Sequence, residues 1–175
     1  GRPIKKGRAD GCVHRQRLRD ATFGDSSQRE SDVLKGLDPL IGPDLLRVLG
    51  AMGHGDAVVV CDANFPAESV ARDTVTGDVI RLDGVSVPRA ITAILSLMPL
   101  DADGGPAVTR MAPASGASEM PLIQREAQAA IEAAEARPVE IASLGRFEFY
   151  EAARRGFAVV LAGDGDLVAG LDALR

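Results

Sequence analysis

Aromatic side chains are scarce in this 175-residue chain: tryptophan is absent, and aromatic residues make up only 3% of the sequence. A stacking platform for single-stranded nucleic acid needs several such side chains, so we do not expect one here. Long apolar runs are missing as well, since no stretch approaches the roughly 20 residues of a membrane span. With 46% hydrophobic residues the chain can still bury an aliphatic core. We therefore expect one soluble, cytoplasmic domain that does not bind a membrane.

Cysteine and histidine are almost as rare. The cysteines are Cys12 and Cys61, and the histidines are His14 and His54. Cys61 ends a run of valines, where a buried and reduced thiol is the ordinary interpretation, so a disulfide framework is not expected. The sequence also lacks the His-Glu-x-x-His motif of zinc peptidases and the Gly-x-Ser-x-Gly elbow of serine hydrolases. We predict no metal site.

The net charge of −5 is unevenly distributed along the chain. Residues 1–32 carry 8 Lys and Arg against 5 Asp and Glu, a net charge of +3, whereas the remainder carries −8. The first segment has little hydrophobic periodicity, so we predict a flexible extension over residues 1–32 and a folded domain over residues 33–175. An acidic body repels phosphate backbones, and we expect no nucleic-acid partner.

Helical and strand patterns alternate from Gly42 onward. The predicted helices cover Pro43 to Gly53, Pro88 to Met98, Glu119 to Ala136 and Phe147 to Arg155, the third of them long and exposed. The predicted strands cover Ala57 to Cys61, Val79 to Val87 with its turn, Ala107 to Met111, Val139 to Leu144 and, as the last, Phe157 to Ala162. This order predicts an α/β fold: a layered single domain whose largely parallel or mixed central sheet is flanked by helices.

Uncommon polar residues bracket the valine strand. Gly53-His54-Gly55-Asp56 precedes it and Asp62-Ala63-Asn64-Phe65-Pro66 follows it. His54 could be a capping residue at the end of a helix or a proton-transfer group. Asp62 follows a strand, where α/β sheets commonly bind ligands. If the strand began directly at His54, the two side chains would lie roughly 25 Å apart, so pairing them would need a folded-back turn or a neighbouring subunit.

A second group of candidate residues lies in Arg146-Phe147-Glu148-Phe149-Tyr150-Glu151, after the Val139 strand. The pattern fits a helix with core aromatic residues and solvated charges. It equally places Arg146 at a strand end, where it could bind a ligand.

Four segments together closely resemble the family of L-fucose mutarotases and D-ribose pyranases. They are Leu34-Lys35-Gly36-Leu37-Asp38-Pro39-Leu40, Met52-Gly53-His54-Gly55-Asp56, Asp62-Ala63-Asn64-Phe65-Pro66-Ala67 and Arg146-Phe147-Glu148-Phe149-Tyr150-Glu151. The match runs from about Val33 to Ala162. The resemblance implies an isomerase that interconverts the anomers of a monosaccharide, in homo-oligomers from dimers to ring-shaped decamers with the sugar site at subunit contacts.

The resemblance also implies roles for individual residues. His54 falls on the family's catalytic histidine, and Asp62 and Arg146 fall on substrate-binding positions, while Phe65 or Tyr150 would offer an apolar face to the sugar. An imidazole can move a proton at the anomeric hydroxyl or the ring oxygen, and this chemistry requires no cofactor. The two motif segments around Phe65 and Tyr150 resemble the fucose branch more than the ribose branch.

The chain departs from the family near its end. Relatives carry a Tyr-x-Asn motif after the last strand, and an ungapped match places Val168 and Gly170 at those positions. Val and Gly cannot make the corresponding side-chain hydrogen bonds. A non-catalytic sugar-binding or regulatory subunit of the same fold is therefore the alternative function.

Overall fold

A computed structural model of the chain describes residue 1, residues 34–101, 105–113 and 120–163, and the backbone of residues 171–174. The chain divides into two compact units, Gly1–Lys35 and Gly36–Arg175, and every element below belongs to the second. Apart from residue 1, the predicted extension over residues 1–32 lies outside the described residues, as do Val168 and Gly170.

Six strands form one mixed sheet. They are β1 (Val58–Cys61), β2 (Val79–Leu82), β3 (Val108–Met111), β4 (Ile141–Leu144), β5 (Ala158–Ala162) and β6 (Leu171–Leu174). Their spatial order is β2-β5-β1-β6-β3-β4. The β6 strand runs antiparallel to both β1 and β3, so those two point the same way, and the other pairs are parallel. Five strands therefore share one direction, which confirms the predicted α/β sheet.

Helices cover both faces of this sheet. They are α1 (Pro43–Ala51), α2 (Ala67–Ala71), α3 (Val87–Leu95), α4 (Leu122–Glu135) and α5 (Arg146–Arg154). One core cluster joins the sheet to α1, α3 and α4, and the other joins it to α2 and α5. Val58 and Val60 of β1 face the first cluster, whereas Val59 and Cys61 face the second. Burial on both faces explains why this strand is a continuous apolar run.

Three expectations need correction. The α4 helix is not exposed all round, because Ile123, Ala127 and Ile131 recur at a spacing of four and are buried on one side. The β5 strand is not the last, since β6 inserts between β1 and β3; its sequence Leu-Asp-Ala-Leu has no β-branched or aromatic residue to indicate a strand. The five-residue α2 was not predicted either, because it is too short to show a helical period.

A close backbone approach ties β5 to β1. The Phe157 N–H donates to the Ala57 carbonyl oxygen at 2.7 Å. A Cβ atom at Gly156 would lie only 3.0 Å from the Ala153 carbonyl oxygen and 3.3 Å from that of Ala57. Glycine lets the chain turn here from α5 into a strand directly beside β1. None of the helices formed by the described residues is long and apolar enough to cross a membrane.

Candidate functional site

The common direction of five strands gives the sheet an amino edge, where they begin, and a carboxyl edge, where they end. His54 precedes β1 and lies at the amino edge, whereas Asp62 follows β1 and lies at the carboxyl edge. Arg146 follows β4 and is also at the carboxyl edge. The candidate residues therefore fall into two groups.

The amino-edge group consists of His54 and Asp101. The His54 side chain is 99% exposed, and its Nδ1 lies 3.2 Å from Oδ2 of Asp101, which precedes β3. They border a cavity of about 340 Å³, whose other lining residues are Leu49, Met52, Gly53, Asp56, Met98, Pro99 and Leu100. An imidazole at the mouth of a cavity can meet a ligand from solvent.

Two local contacts shape this cavity. The Asp56 side chain accepts a hydrogen bond from the Gly53 N–H at 2.8 Å, which closes the turn that carries His54. Gly55 in that turn has a φ of +83°, a conformation that favours glycine. On the other side, the Leu100 N–H donates to Oε1 of Glu135 at 3.1 Å and so fixes the chain beside Asp101.

The contact with Asp101 defines what His54 can do chemically. When Nδ1 carries the proton, it donates a hydrogen bond to the Asp101 carboxylate, and this contact orients the ring. Nε2 then points away from Asp101 and is left as the base. The C-cap of α1 is Met52, whose N–H donates to the Val48 carbonyl oxygen, so the capping interpretation of His54 is wrong. Sequence analysis missed Asp101, because 47 residues separate it from His54 and no local pattern connects them.

The carboxyl-edge group contains Asp62, Phe65, Arg146 and Tyr150. Asp62 is only 2% exposed. Its Oδ1 accepts the Asn64 N–H at 2.9 Å, and its carbonyl oxygen accepts the Phe65 N–H at 3.2 Å, so the turn after β1 is built around this residue. The carboxylate is thus an oriented hydrogen-bond acceptor at a strand end.

Aromatic rings connect this turn to α5. The Phe65 ring packs edge-on against Phe149 and Tyr150, with centroid separations of 5.7 and 5.5 Å. Phe65 and Phe149 are buried, and Tyr150 is half-buried. Arg146 is the exposed first residue of α5, one turn before Tyr150.

The structure brings Asp62, Phe65 and Tyr150 together but keeps His54 on the opposite edge. The separation of roughly 25 Å assumed a strand that begins at His54, and that condition is not met, because His54 lies in a turn and β1 begins only at Val58. The four residues of β1 still separate the edges by about 13 Å. Of the described residues that line the His54 cavity, none belongs to the carboxyl-edge group.

The described residues contain no cluster of three His, Cys, Asp or Glu side chains that could hold a metal ion. The side chains at the two edges provide an imidazole, carboxylates and a guanidinium, which can transfer protons and form hydrogen bonds to a polar ligand.

Comparison with known proteins identifies the family of the chain. The model of the RbsD / FucU transport protein family matches residues 35–171. The L-fucose mutarotase of Haemophilus influenzae is 38% identical over 132 residues, which cover 75% of this chain and 88% of that protein.

Solved structures agree. FucU from Bifidobacterium longum matches with a TM-score of 0.72 and 35% identity, covering 81% of this chain and 97% of that one. The fucose mutarotase of Streptococcus pneumoniae, solved in complex with L-fucose, matches with a TM-score of 0.70, 35% identity and the same coverage. With its fold, its motifs and most of its length in common with these proteins, the chain belongs to the RbsD / FucU family.

Proposed function

We propose that this protein is a sugar mutarotase that interconverts the anomers of a monosaccharide, with L-fucose the preferred candidate. The single observation that carries the proposal is an exposed imidazole, His54, oriented by Asp101 at a cavity. Similarity to proteins named L-fucose mutarotase supports it.

Mutarotation requires one proton to leave the anomeric hydroxyl and another to reach the ring oxygen as the hemiacetal opens; closure on the other face reverses both transfers. His54 Nε2 is the group that we assign to proton transfer. General acid–base assistance of this kind contributes about 10²–10⁴-fold, which suits a modest isomerisation. Asp101 acts as a positioning residue, because its carboxylate lies 3.2 Å from Nδ1 and accepts a hydrogen bond when Nδ1 carries the proton.

The carboxyl-edge residues would hold the sugar. Arg146 donates from its planar guanidinium, and Tyr150 covers an apolar part of the ring. Asp62 is only 2% exposed in one subunit, so its acceptance of hydrogen bonds from sugar hydroxyls requires the turn after β1 to open toward the site when the sugar binds. Phe65 lies behind the Tyr150 ring and supports it.

Assembly would unite the two edges. Since His54 and the sugar-holding residues lie on opposite edges of one sheet, a second copy must bring its amino edge to the carboxyl edge of the first. Such a contact forms either reciprocally across a two-fold axis, as in a dimer, or head-to-tail around a closed ring. We propose a homo-oligomer, from a dimer to a ring-shaped decamer, with a site at every subunit contact.

Exchange NMR on an equilibrated mixture of fucose anomers tests the function. With the wild-type protein we expect saturation transfer between the two anomeric protons, and with His54→Ala we expect it to vanish. Asp101→Asn should lower the exchange rate by about tenfold or more while sugar affinity changes little, because it disturbs ring orientation only. Arg72→Ala, which alters an exposed residue at the end of α2, is the control and should retain exchange.

The alternative is a sugar-binding subunit without catalysis, which the Val168 and Gly170 positions of the sequence favour. In the same experiment it predicts sugar binding by the wild-type protein with no exchange above the spontaneous rate. Exchange that survives in His54→Ala would contradict the assigned role of the imidazole.

A further inference from the structure

A second cavity lies beside the turn that carries His54. It has a volume of about 420 Å³, and most of its walls are small side chains, among them those of Gly55, Ala57, Ala142, Ala152 and Gly156. It lies on the sheet face covered by α2 and α5, whereas the His54 cavity lies on the opposite face. Because Gly55 belongs to the His54 turn, this turn separates the two cavities. We call the second one the α5 cavity.

The α5 cavity reaches the amino edge of the sheet. Its lining includes Pro106 and Gly156, which precede β3 and β5. Arg155, the exposed C-cap of α5, is the only charged residue among the described residues that line it. This guanidinium forms no ion pair with a described residue. A complementary occupant therefore combines an apolar group with a carboxylate.

The start of α5 carries these two groups in adjacent positions. Phe147 is 80% exposed, more than any other large apolar side chain among the described residues, and its ring is held on one side by Tyr150 at a centroid separation of 6.5 Å. Glu148 follows it; its Oε2 accepts the Gly145 N–H at 3.1 Å, and its carboxylate pairs with no cation among the described residues. Aromatic side chains that fill a pocket on the partner are frequent anchors of protein–protein interfaces.

These two surfaces cannot meet within one chain, because Phe147 and Arg155 lie at opposite ends of the same helix. We propose that the Phe147 ring of one copy fills the α5 cavity of a neighbouring copy and that Glu148 pairs there with Arg155. This inference rests on the proposed assembly of the two edges and names the contact that holds them together. Since Arg146 directly precedes Phe147, the same contact brings its guanidinium to the turn that carries His54.

Two variants test this contact from its two sides. Phe147→Ala removes the ring, and Ala152→Leu fills the cavity from a position that is only half-buried in one subunit. Each should raise the dissociation constant between subunits by about thirtyfold, as the loss of an interface anchor does. Ala133→Leu adds the same bulk to the exposed middle of α4 and should leave assembly unchanged. Analytical ultracentrifugation measures the dissociation constant, and thermal unfolding verifies that each variant folds.

An exchange of charges tests the ion pair. Arg155→Glu and Glu148→Lys each place like charges opposite one another between identical copies, so each variant alone should assemble about tenfold more weakly. In a mixture of the two variants, every contact between unlike copies joins opposite charges. Mixed oligomers should therefore form with nearly the wild-type affinity, and native mass spectrometry counts the unlike copies in them.

Assembly and anomer exchange are separate readouts. Weaker assembly of Phe147→Ala and Ala152→Leu, together with recovery in the charge-exchanged mixture, would support the inference even if no protein exchanged the anomers of fucose. A monomeric wild-type protein, an unchanged dissociation constant in either variant, an equal loss in Ala133→Leu, or no recovery in the mixture would overturn it. Exchange by the wild-type protein would still support the proposed function in each of those cases.

Discussion

Arg146 occupies a position that is electrostatically unfavourable for helix stability. It is the first residue of α5, where its positive charge meets the positive end of the helix dipole. A residue that opposes local stability in this way is commonly retained because it binds a ligand, as Asp62, a carboxylate with only 2% of its surface exposed, also does at this edge in our proposal. A substitution of Arg146 can therefore change binding without lowering the stability of α5.

Arg146→Gln should therefore weaken sugar binding without destabilising the protein. We expect the dissociation constant to rise by about tenfold, because one charge-assisted hydrogen bond is lost. The free energy of unfolding should stay the same or rise slightly, because a cation leaves the helix N-terminus. Titration calorimetry and urea unfolding measure the two quantities. Arg125→Gln, an exposed arginine in the first half of α4, should change neither.

Asp38 illustrates a residue whose charge serves the fold. Its Oδ1 accepts both the Leu40 N–H at 3.0 Å and Nη2 of Arg89 at 2.7 Å, which ties the segment before α1 to α3. The hydrogen bond from Arg89 lowers the pKa of Asp38 below its ordinary value, although partial burial opposes the shift. The folded state thus binds the Asp38 proton less tightly than the unfolded state does.

Asp38→Asn should consequently cost stability in a pH-dependent way. The contribution of the ionised carboxylate is present above about pH 4, the unfolded pKa, and is lost as pH falls through the lower folded pKa. We expect a loss of about 1 kcal/mol at pH 7, because the pair is partly exposed, and a smaller difference from wild type in acid. Urea unfolding from pH 2 to 7 measures it. Asp83→Asn, which removes an exposed partner of Arg81, should have little effect at any pH, and an equal loss there would argue against the assignment.

At the scale of elements, segments with a distinctive residue pattern were predictable and segments without one were not. The α1 and α3 helices are signalled by an early proline and by apolar residues at helical spacing, and β1 by its valines. The α2 helix has only five residues, too few to establish a helical period, and β6, with the sequence Leu-Asp-Ala-Leu, has no β-branched or aromatic residue to indicate a strand. Their formation depends on the tertiary surface that they cover, which local pattern does not contain.

The end of α4 contains a conformation that alanine disfavours. Ala136 caps this helix with φ +53°, the left-handed region in which glycine is normally found. Ala136→Gly should raise the free energy of unfolding by about 0.5–1 kcal/mol because it relieves this strain. Ala133→Gly, in the exposed interior of the same helix, should lower it by about 1 kcal/mol. Thermal or urea unfolding compares them, and a shift of the same sign in both variants would contradict the assigned cap geometry.

At the scale of the whole molecule, the sequence proposed which residues form the site but contained little information about where they lie relative to one another. The motifs identified His54, Asp62 and Arg146 by type and order, and the strand between the first two already indicated a separation. Only the topology reveals that the latter two share one edge of the sheet while His54 lies on the other with Asp101. Contacts made across 47 residues, or between copies, leave no trace in local spacing.

The central claim is that one subunit supplies the imidazole and its neighbour the sugar-holding groups. His54→Ala and Arg146→Glu each remove one half of such a site, and a glutamate suits the first turn of α5, so the second variant should fold. When the two inactive variants are co-assembled in equal amounts, about a quarter of the sites between subunits carry both intact halves. Native mass spectrometry verifies that mixed oligomers have formed, and a mixture of His54→Ala with the double variant provides the inactive control.

Anomer exchange by the co-assembled variants is the most direct measurement of this claim. We predict recovery of about a quarter of the wild-type exchange rate in the mixed oligomers and none in the control. Verified mixed oligomers that remain as inactive as either variant alone would show that the imidazole and the guanidinium must belong to the same chain, and would contradict the account.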